Sequence, residues 1–170
     1  TVTMARGFTS GNTKHPCMRI YGHGTFVDKI GELLPKGVEV YGPATYSLMS
    51  SNPAGNSFAL KSGATLKVPS SGNVTLKAAN ISANTTLAFN FTDGSMPPCI
   101  VFSGTPTIAS GVTVYVTTDV SLPFNTSWTL TSGANTDLSK FTLDEETAKW
   151  ATLSLSADKN LVLTRKPYFT

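Results

Sequence analysis

The alternation of apolar and polar residues between Ser62 and Thr118 predicts a succession of short β-strands. Similar segments recur as GATLKV at 63–68, NVTLKA at 73–78, TTLAFNF at 85–91 and GVTVYV at 111–116. Ser, Gly, Asn and Pro occupy much of the sequence between them. Alternation with a period of two is typical of strands that bury one face. The pattern therefore predicts an all-β chain, built either as a β-solenoid or as a meandering sheet.

Three leucines suggest how the strands stack. Leu66, Leu76 and Leu87 recur at intervals of 10 and 11 residues. In a parallel β-helix such side chains lie beneath one another in successive rungs, and we expect these three to form one stack. Asn73 and Asn84 are the expected corner residues, because Asn tolerates left-handed backbone angles. A two-sheet β-sandwich is the alternative fold, since it would contain the same strands.

Further strands are predicted on both sides of the repeating section. They are expected at 17–21, 38–41, 99–102, 107–108, 112–117, 127–130, 152–155 and 161–164. Gly42 and Pro43 predict a turn. The segment 93–98, with Asp93-Gly94 and Met96-Pro97-Pro98, predicts an interruption of the strands, because Pro cannot donate to a central ladder. We expect a single domain over 1–170, with repeat-like rungs and a C-terminal cap at 60–170.

One short helix is predicted, together with a second segment that is either a turn or one helical turn. Thr25 and Asp28 resemble a capping box, Phe26, Ile30 and Leu33 follow at helical spacing, and Pro35 ends the segment. The interpretation is a helical or irregular N-terminal cap within residues 1–59, with the first strands. A second helical turn is compatible with the three acids at the start of 144–150.

Composition and charge restrict the function. Only 14% of the residues are charged, whereas Thr (25) and Ser (18) are abundant, and the net charge is +3. Residues 41–92 contain three Lys and no acid, but they lack the Arg clusters and interleaved aromatics of a nucleic-acid surface, so no nucleic-acid partner is expected. No apolar run approaches the roughly 20 residues of a membrane span. The chain begins without Met, and we expect it to belong to a longer, secreted or surface-displayed polypeptide.

The two cysteines leave two interpretations open. A disulfide between Cys17 and Cys99 would enclose 81 residues and restrict the unfolded chain by about 4 kcal/mol. Two buried free thiols are the alternative. Neither cysteine has the spacing of a zinc site with His15 or His23, so no metal or other cofactor is expected.

The section from about Leu60 to Arg165 resembles the terminal part of bacterial passenger domains built from autotransporter-associated β-strand repeats. The segments that carry the resemblance are 87–94, 98–104, 111–116, 128–130, 137–143, 151–155 and 160–163. The resemblance implies a right-handed parallel β-helix on a secreted or surface-displayed protein. It implies no catalytic residue.

Candidate chemistry is sparse, and no catalytic residue is assigned. Trp128, Trp150 and Tyr46 are candidate ligand-binding residues, because flat aromatic faces bind sugar rings, although such residues also pack in cores. Glycoside hydrolysis needs two carboxylates about 5–9.5 Å apart. Asp93, Asp119 and Asp137 are the acids considered for such a site, but Asp beside Gly or Thr is usually a turn residue.

These observations favour a non-enzymatic structural or adhesive domain of a larger bacterial surface protein. A carbohydrate-binding surface module, with an extracellular or cell-surface glycan as its partner, is the alternative. A polysaccharide-cleaving β-helix enzyme ranks last.

Overall fold

The computed structural model describes residues 2–4, 18–28, 37–48, 57–68, 73–93 and 97–167. The strands are β1 Val2–Met4, β2 Met18–Ile20, β3 Thr25–Asp28, β4 Val38–Val40, β5 Thr45–Leu48, β6 Phe58–Leu60, β7 Thr65–Val68, β8 Asn73–Lys77, β9 Ala79–Ile81, β10 Thr85–Phe91, β11 Cys99–Ser103, β12 Thr107–Ile108, β13 Val112–Thr118, β14 Ser127–Thr129, β15 Thr131–Ser132, β16 Phe141–Leu143, β17 Ala151–Leu155 and β18 Leu161–Arg165. A 3₁₀ turn spans Leu138–Lys140, and the helix α1 spans Glu145–Trp150.

The strands form three parallel sheets and one antiparallel sheet. Sheet A has the order β1-β3-β5-β7-β10-β13-β16, sheet B the order β12-β9-β6-β4-β2, and sheet C the order β15-β11-β8. From β7 to β13 the chain passes repeatedly from sheet A to sheet C, then to sheet B and back to sheet A. The predicted β-solenoid is therefore confirmed, and the alternative of a β-sandwich is not needed.

The rung is longer than the leucine spacing suggested. Leu66 pairs with Leu87, 21 positions later, and both are fully buried in sheet A. Leu76 lies in sheet C, where it pairs with Phe102. The expected single stack of three leucines is wrong. One rung contains strands of more than one sheet, so residues about ten positions apart lie in neighbouring sheets of the same rung.

The corner residues are partly as expected. Asn84 has a φ of 55°, in the left-handed region. Asn73 instead begins strand β8, and Ala78, with a φ of 42°, turns the chain from β8 to β9. Gly42 and Pro43 form the predicted turn between β4 and β5.

The inward and outward faces of sheet A show why the sequence alternates. Inward residues form a continuous core, whereas a file of threonines runs along the outer face. Thr25, Thr45, Thr65, Thr86, Thr113 and Thr142 pair in register from β3 to β16. Thr is β-branched and suits an outward strand position, where cross-strand Thr pairs stabilise the sheet.

The helix predicted from Thr25 is wrong in its described part. Thr25–Asp28 is strand β3, which pairs with β1 and β5. The ring of Phe26 stacks on that of Tyr46, with centroids 5.8 Å apart. Sheet pairing and aromatic packing between rungs thus override a local capping signal; residues 29–36, the rest of that prediction, lie outside the described residues.

The C-terminal residues close the stack differently from the rungs before them. The predicted helical turn is confirmed as α1, and the Asp144 carboxylate accepts hydrogen bonds from the Glu146 and Thr147 N–H groups. After α1, β17 pairs antiparallel with β18, and β18 pairs antiparallel with β14. This antiparallel sheet D ends the succession of parallel rungs.

Candidate binding surfaces

Tyr46, one of the three predicted ligand-binding residues, belongs to the core. Its side chain is fully buried, between Phe26 and Phe58 of the rungs on either side. The centroid of the Tyr46 ring is 6.0 Å from that of Phe58. This residue cannot present an aromatic face to a ligand without opening the core.

Trp128 is also a packing residue. Only 6% of its surface is exposed, and its indole meets the Phe91 ring edge to face with centroids 5.6 Å apart. It lies in β14, where it pairs with Leu163 of sheet D. It packs sheet D against Phe91 of β10 in the core.

Trp150 is the predicted residue that remains accessible. It is half-buried at the end of α1 and lines a cavity of about 210 Å³. The other described residues that line it are Thr118, Val120, Ser121, Leu122 and Arg165. The structure therefore separates the three predicted aromatics and leaves only Trp150 beside a cavity.

Cys99 is a free thiol in the structure. It is buried in β11, and burial raises the pKa of its thiol to about 11, so it is not a reactive thiolate at neutral pH. Cys17 lies outside the described residues. The structure gives no support to the pairing of these two cysteines, which stays a prediction.

The acids considered for catalysis take up turn and surface positions. Asp119 is exposed after β13, where its carboxylate accepts a hydrogen bond from the Asn90 amide at 3.5 Å. Asp137 precedes the 3₁₀ turn without a side-chain cap bond. No group of three or more His, Cys, Asp or Glu residues within the described ranges could hold a metal ion.

The outer face of sheet B carries a stacked pair of tyrosines, Tyr21 and Tyr41, which are also among the aromatics that the sequence offers for sugar binding. Tyr21 and Tyr41 follow β2 and β4 at equivalent positions, and their rings stack with centroids 4.5 Å apart and planes 18° from parallel. Tyr21 is 62% exposed. The pair therefore offers an aromatic surface to the solvent.

An ion pair accompanies the two tyrosines. Arg19 pairs with Glu39 in the strand register, and its Nε donates to Glu39 Oε2 at 2.9 Å. Tyr41 Oη donates to the same carboxylate oxygen at 2.9 Å. The tyrosine–arginine cluster consists of Arg19, Glu39, Tyr21 and Tyr41.

Hydrogen bonding fixes the charges in this cluster. The hydrogen bond from Tyr41 is the main cause of a lowered pKa of Glu39, and the bond and charge of Arg19 act in the same direction. The same contacts raise the pKa of Tyr41 and of Arg19. At neutral pH the cluster therefore holds a carboxylate, a guanidinium and a neutral phenol, the groups with which proteins hydrogen-bond sugar hydroxyls.

A cleft of about 410 Å³ lies beside the cluster. The described residues that line it are Met18, Arg19, Ile20, Tyr21, His23, Gly24, Thr25 and Phe26. Its volume lies within the range of small-molecule sites, about 300–1,000 Å³. Arg19 and Tyr21 thus belong both to the cluster and to the wall of a cleft.

A sequence signal for the cluster exists. Met-Arg-Ile-Tyr-Gly at 18–22 and Val-Glu-Val-Tyr-Gly at 38–42 share an alternation and a tyrosine 20 positions apart. This spacing equals one rung at that end of the solenoid, as the pairing of Ile20 with Val40 shows. Because a rung has this length, Arg19 lies beside Glu39 and Tyr21 beside Tyr41; the sequence does not give the rung length directly.

No protein-family model, curated protein or solved structure matches this chain. No helix among the described residues is long and apolar enough to cross a membrane. The strand pairing of the chain itself shows a β-solenoid.

Proposed function

We propose that this chain is a non-enzymatic adhesive domain of a larger secreted or surface-displayed bacterial protein, and that it binds carbohydrate through the tyrosine–arginine cluster. The observation that carries the proposal is the exposed Tyr21–Tyr41 stack beside an ion pair and a cleft of about 410 Å³. Resemblance of 60–165 to autotransporter-associated repeats supports the surface location, as does a composition poor in charge and rich in Thr and Ser.

The chemistry of the cluster suits a sugar. A pyranose presents a patch of C–H groups, which packs on an aromatic face, and hydroxyls, which need donors and acceptors around that face. Tyr21 supplies the face, while Arg19 supplies donors and Glu39 an acceptor. Arg19 is held by Glu39, so the site has its polar groups positioned before a ligand arrives.

The cluster does not have the composition of a glycosidase site. Glu39 is its single acid, and the described residues that line the cleft include no Asp or Glu. Hydrolysis by the usual mechanism needs a second carboxylate within about 9.5 Å. Binding without cleavage is therefore the function that these residues favour.

The test is a glycan array followed by calorimetry with the glycan that binds best. We expect Tyr21→Ala to weaken binding at least tenfold while the melting temperature stays within a few degrees of the wild type. Tyr115→Ala is the matched control, because Tyr115 is an exposed tyrosine on the outer face of sheet A. Absence of glycan binding by the wild type, or equal loss in both variants, would refute the proposal.

A further inference from the structure

The cavity beside Trp150 has features of a second site that are independent of the tyrosine–arginine cluster. It lies between the end of α1 and the segment that follows β13, at the C-terminal end of the solenoid. The described part of its lining combines one aromatic side chain, one cation and two hydroxyl residues, Thr118 and Ser121. At about 210 Å³ it is smaller than the usual drug-sized site and admits one ring.

Arg165 is the cation of this cavity, and the protein uses only part of its hydrogen-bonding capacity. Its backbone N–H donates to Thr126 O at 3.0 Å, and its Nη1 donates to Leu122 O. The guanidinium carbon lies 4.0 Å from the centroid of the Phe124 ring. A guanidinium has five N–H donors, and the one such donor engaged by a described residue is the one that binds Leu122 O.

Within the described ranges, Arg165 forms no salt bridge with an acidic residue. The salt bridges found in the described part of the chain join Arg19 to Glu39 and Lys149 to Glu146, and neither includes Arg165. A half-buried cation without a carboxylate loses hydration and gains no ion pair in return. A planar guanidinium in that position is suited to bind a carboxylate or sulfate with two parallel hydrogen bonds.

The remaining walls favour a sugar ring attached to that anion. Trp150 offers an indole at the cavity, and Ser121 is exposed with a hydroxyl that makes no hydrogen bond among the described residues. The Thr118 hydroxyl is already engaged, because it donates to Val120 O at 2.6 Å. The cavity therefore combines an aromatic wall, a hydroxyl and a guanidinium within the space of one ring.

We propose that this cavity binds one acidic sugar unit, with its ring against Trp150 and its carboxylate or sulfate on Arg165. The acidic group follows from Arg165 alone, whereas the choice of a sugar rests on the proposed carbohydrate binding. The two sites are nevertheless separate, since the described residues that line them are all different.

The experiment titrates the full chain separately with methyl glucuronide, a sulfated methyl galactoside, methyl glucoside and inorganic sulfate. Binding is measured by calorimetry and by tryptophan emission. We expect saturable binding of at least one acidic sugar, at least tenfold tighter than that of methyl glucoside and of sulfate. Binding should weaken as NaCl rises, because salt screens the ion pair. The two acidic sugars distinguish a carboxylate from a sulfate.

Two variants locate the site. Arg165→Gln should weaken binding of the acidic sugar at least tenfold. Because Arg165 also holds Leu122, Ser121→Phe is the second variant: it fills the cavity from an exposed position and should abolish binding in protein that keeps its melting temperature. Arg19→Gln and Tyr21→Ala, in the tyrosine–arginine cluster, should leave this binding unchanged.

Several outcomes overturn the inference. Equal affinity for the acidic sugars and methyl glucoside removes the role of Arg165, and affinity for sulfate equal to that for the sugars leaves a bare anion site. Unchanged binding in Ser121→Phe places the ligand elsewhere. Loss of binding in Tyr21→Ala would assign the acidic sugar to the tyrosine–arginine cluster, whereas failure of both sites to bind any sugar would refute the proposed function as well.

Discussion

At the C-terminal end of the solenoid, Thr147 and Thr131 hydrogen-bond backbone groups, whereas polar side chains on the outer face of sheet B hydrogen-bond one another. Thr147 Oγ1 accepts from Val116 N–H at 3.0 Å and lies 3.5 Å from Val116 O, so it meets both polar groups of an edge residue of sheet A. Arg19, Glu39 and Tyr41 instead join side chain to side chain at the surface.

The difference distinguishes side chains that cover the end of the solenoid from side chains that can bind a ligand. An unpaired strand edge recruits other chains, so its N–H and C=O groups need partners within the molecule. Asp144 N–H donates to Val114 O, Leu130 N–H donates to Leu161 O, and Thr131 Oγ1 accepts from Leu161 N–H. The Thr131 and Thr147 side chains, which accept such backbone N–H groups, cannot be removed without cost. The side chains of the tyrosine–arginine cluster hydrogen-bond one another at the surface and stay available to a ligand.

Trp128→Ala should cause the largest loss of stability, and it tests whether packing residues and ligand-binding residues are distinct. We expect a loss of about 3–5 kcal/mol in the free energy of unfolding, because a buried indole is removed from the contact with Phe91. Tyr21→Ala, at an exposed ring, should stay within about 0.5 kcal/mol. Chemical denaturation of both variants measures the difference. If Trp128→Ala lost sugar binding and kept its stability, Trp128 would be a ligand residue after all.

Thr147→Val should have an intermediate effect. The variant keeps the shape of a fully buried side chain but leaves the N–H of Val116 without an acceptor, so we expect a loss of about 1–3 kcal/mol. The matched control is Thr152→Val, at an exposed position of β17, for which the change should not exceed about 0.5 kcal/mol. Equal stability of the two variants would show that the edge of sheet A does not need this partner.

The smallest expected effect is the contribution of Glu39 to the free energy of unfolding, which depends on pH. The pKa of Glu39 is lower in the folded chain than the ordinary value of 4.5. Its carboxylate therefore stabilises the fold above that value, and this contribution is lost as the pH falls through the lowered pKa. We expect Glu39→Gln to cost at most about 1 kcal/mol at pH 7, because the pair is near the surface.

Stability curves from pH 7 to pH 2 check this expectation. The difference between the wild type and Glu39→Gln should shrink towards zero at the acid end. Glu145→Gln, an exposed residue of α1, is the control and should give a smaller difference throughout. A difference for Glu39→Gln that grows on acidification would contradict the assigned direction of the pKa.

Much of the fold could be predicted from local patterns. The alternation at 112–117 and 161–164 predicted strands that are present as β13 and β18, and the acids at 144–146 marked the start of α1. The segment from Thr25 to Asp28 could not be assigned this way, since its capping signal is local and its pairing partner β5 lies 20 positions further along the chain. The sites were harder still, because exposure depends on which rung covers which residue.

The sequence by itself determined that this chain forms stacked β-strands with small, hydroxyl-rich outer faces, because alternation and turn residues act over a few neighbouring positions. Only the tertiary structure decided the length of a rung, and with it which side chains meet. The same residue type thus has opposite roles: Tyr46 points between two rungs and is buried, whereas Tyr41, after the adjacent strand of the same coil, lies at the outer face beside Tyr21. Register between rungs, which no local pattern contains, sets that difference.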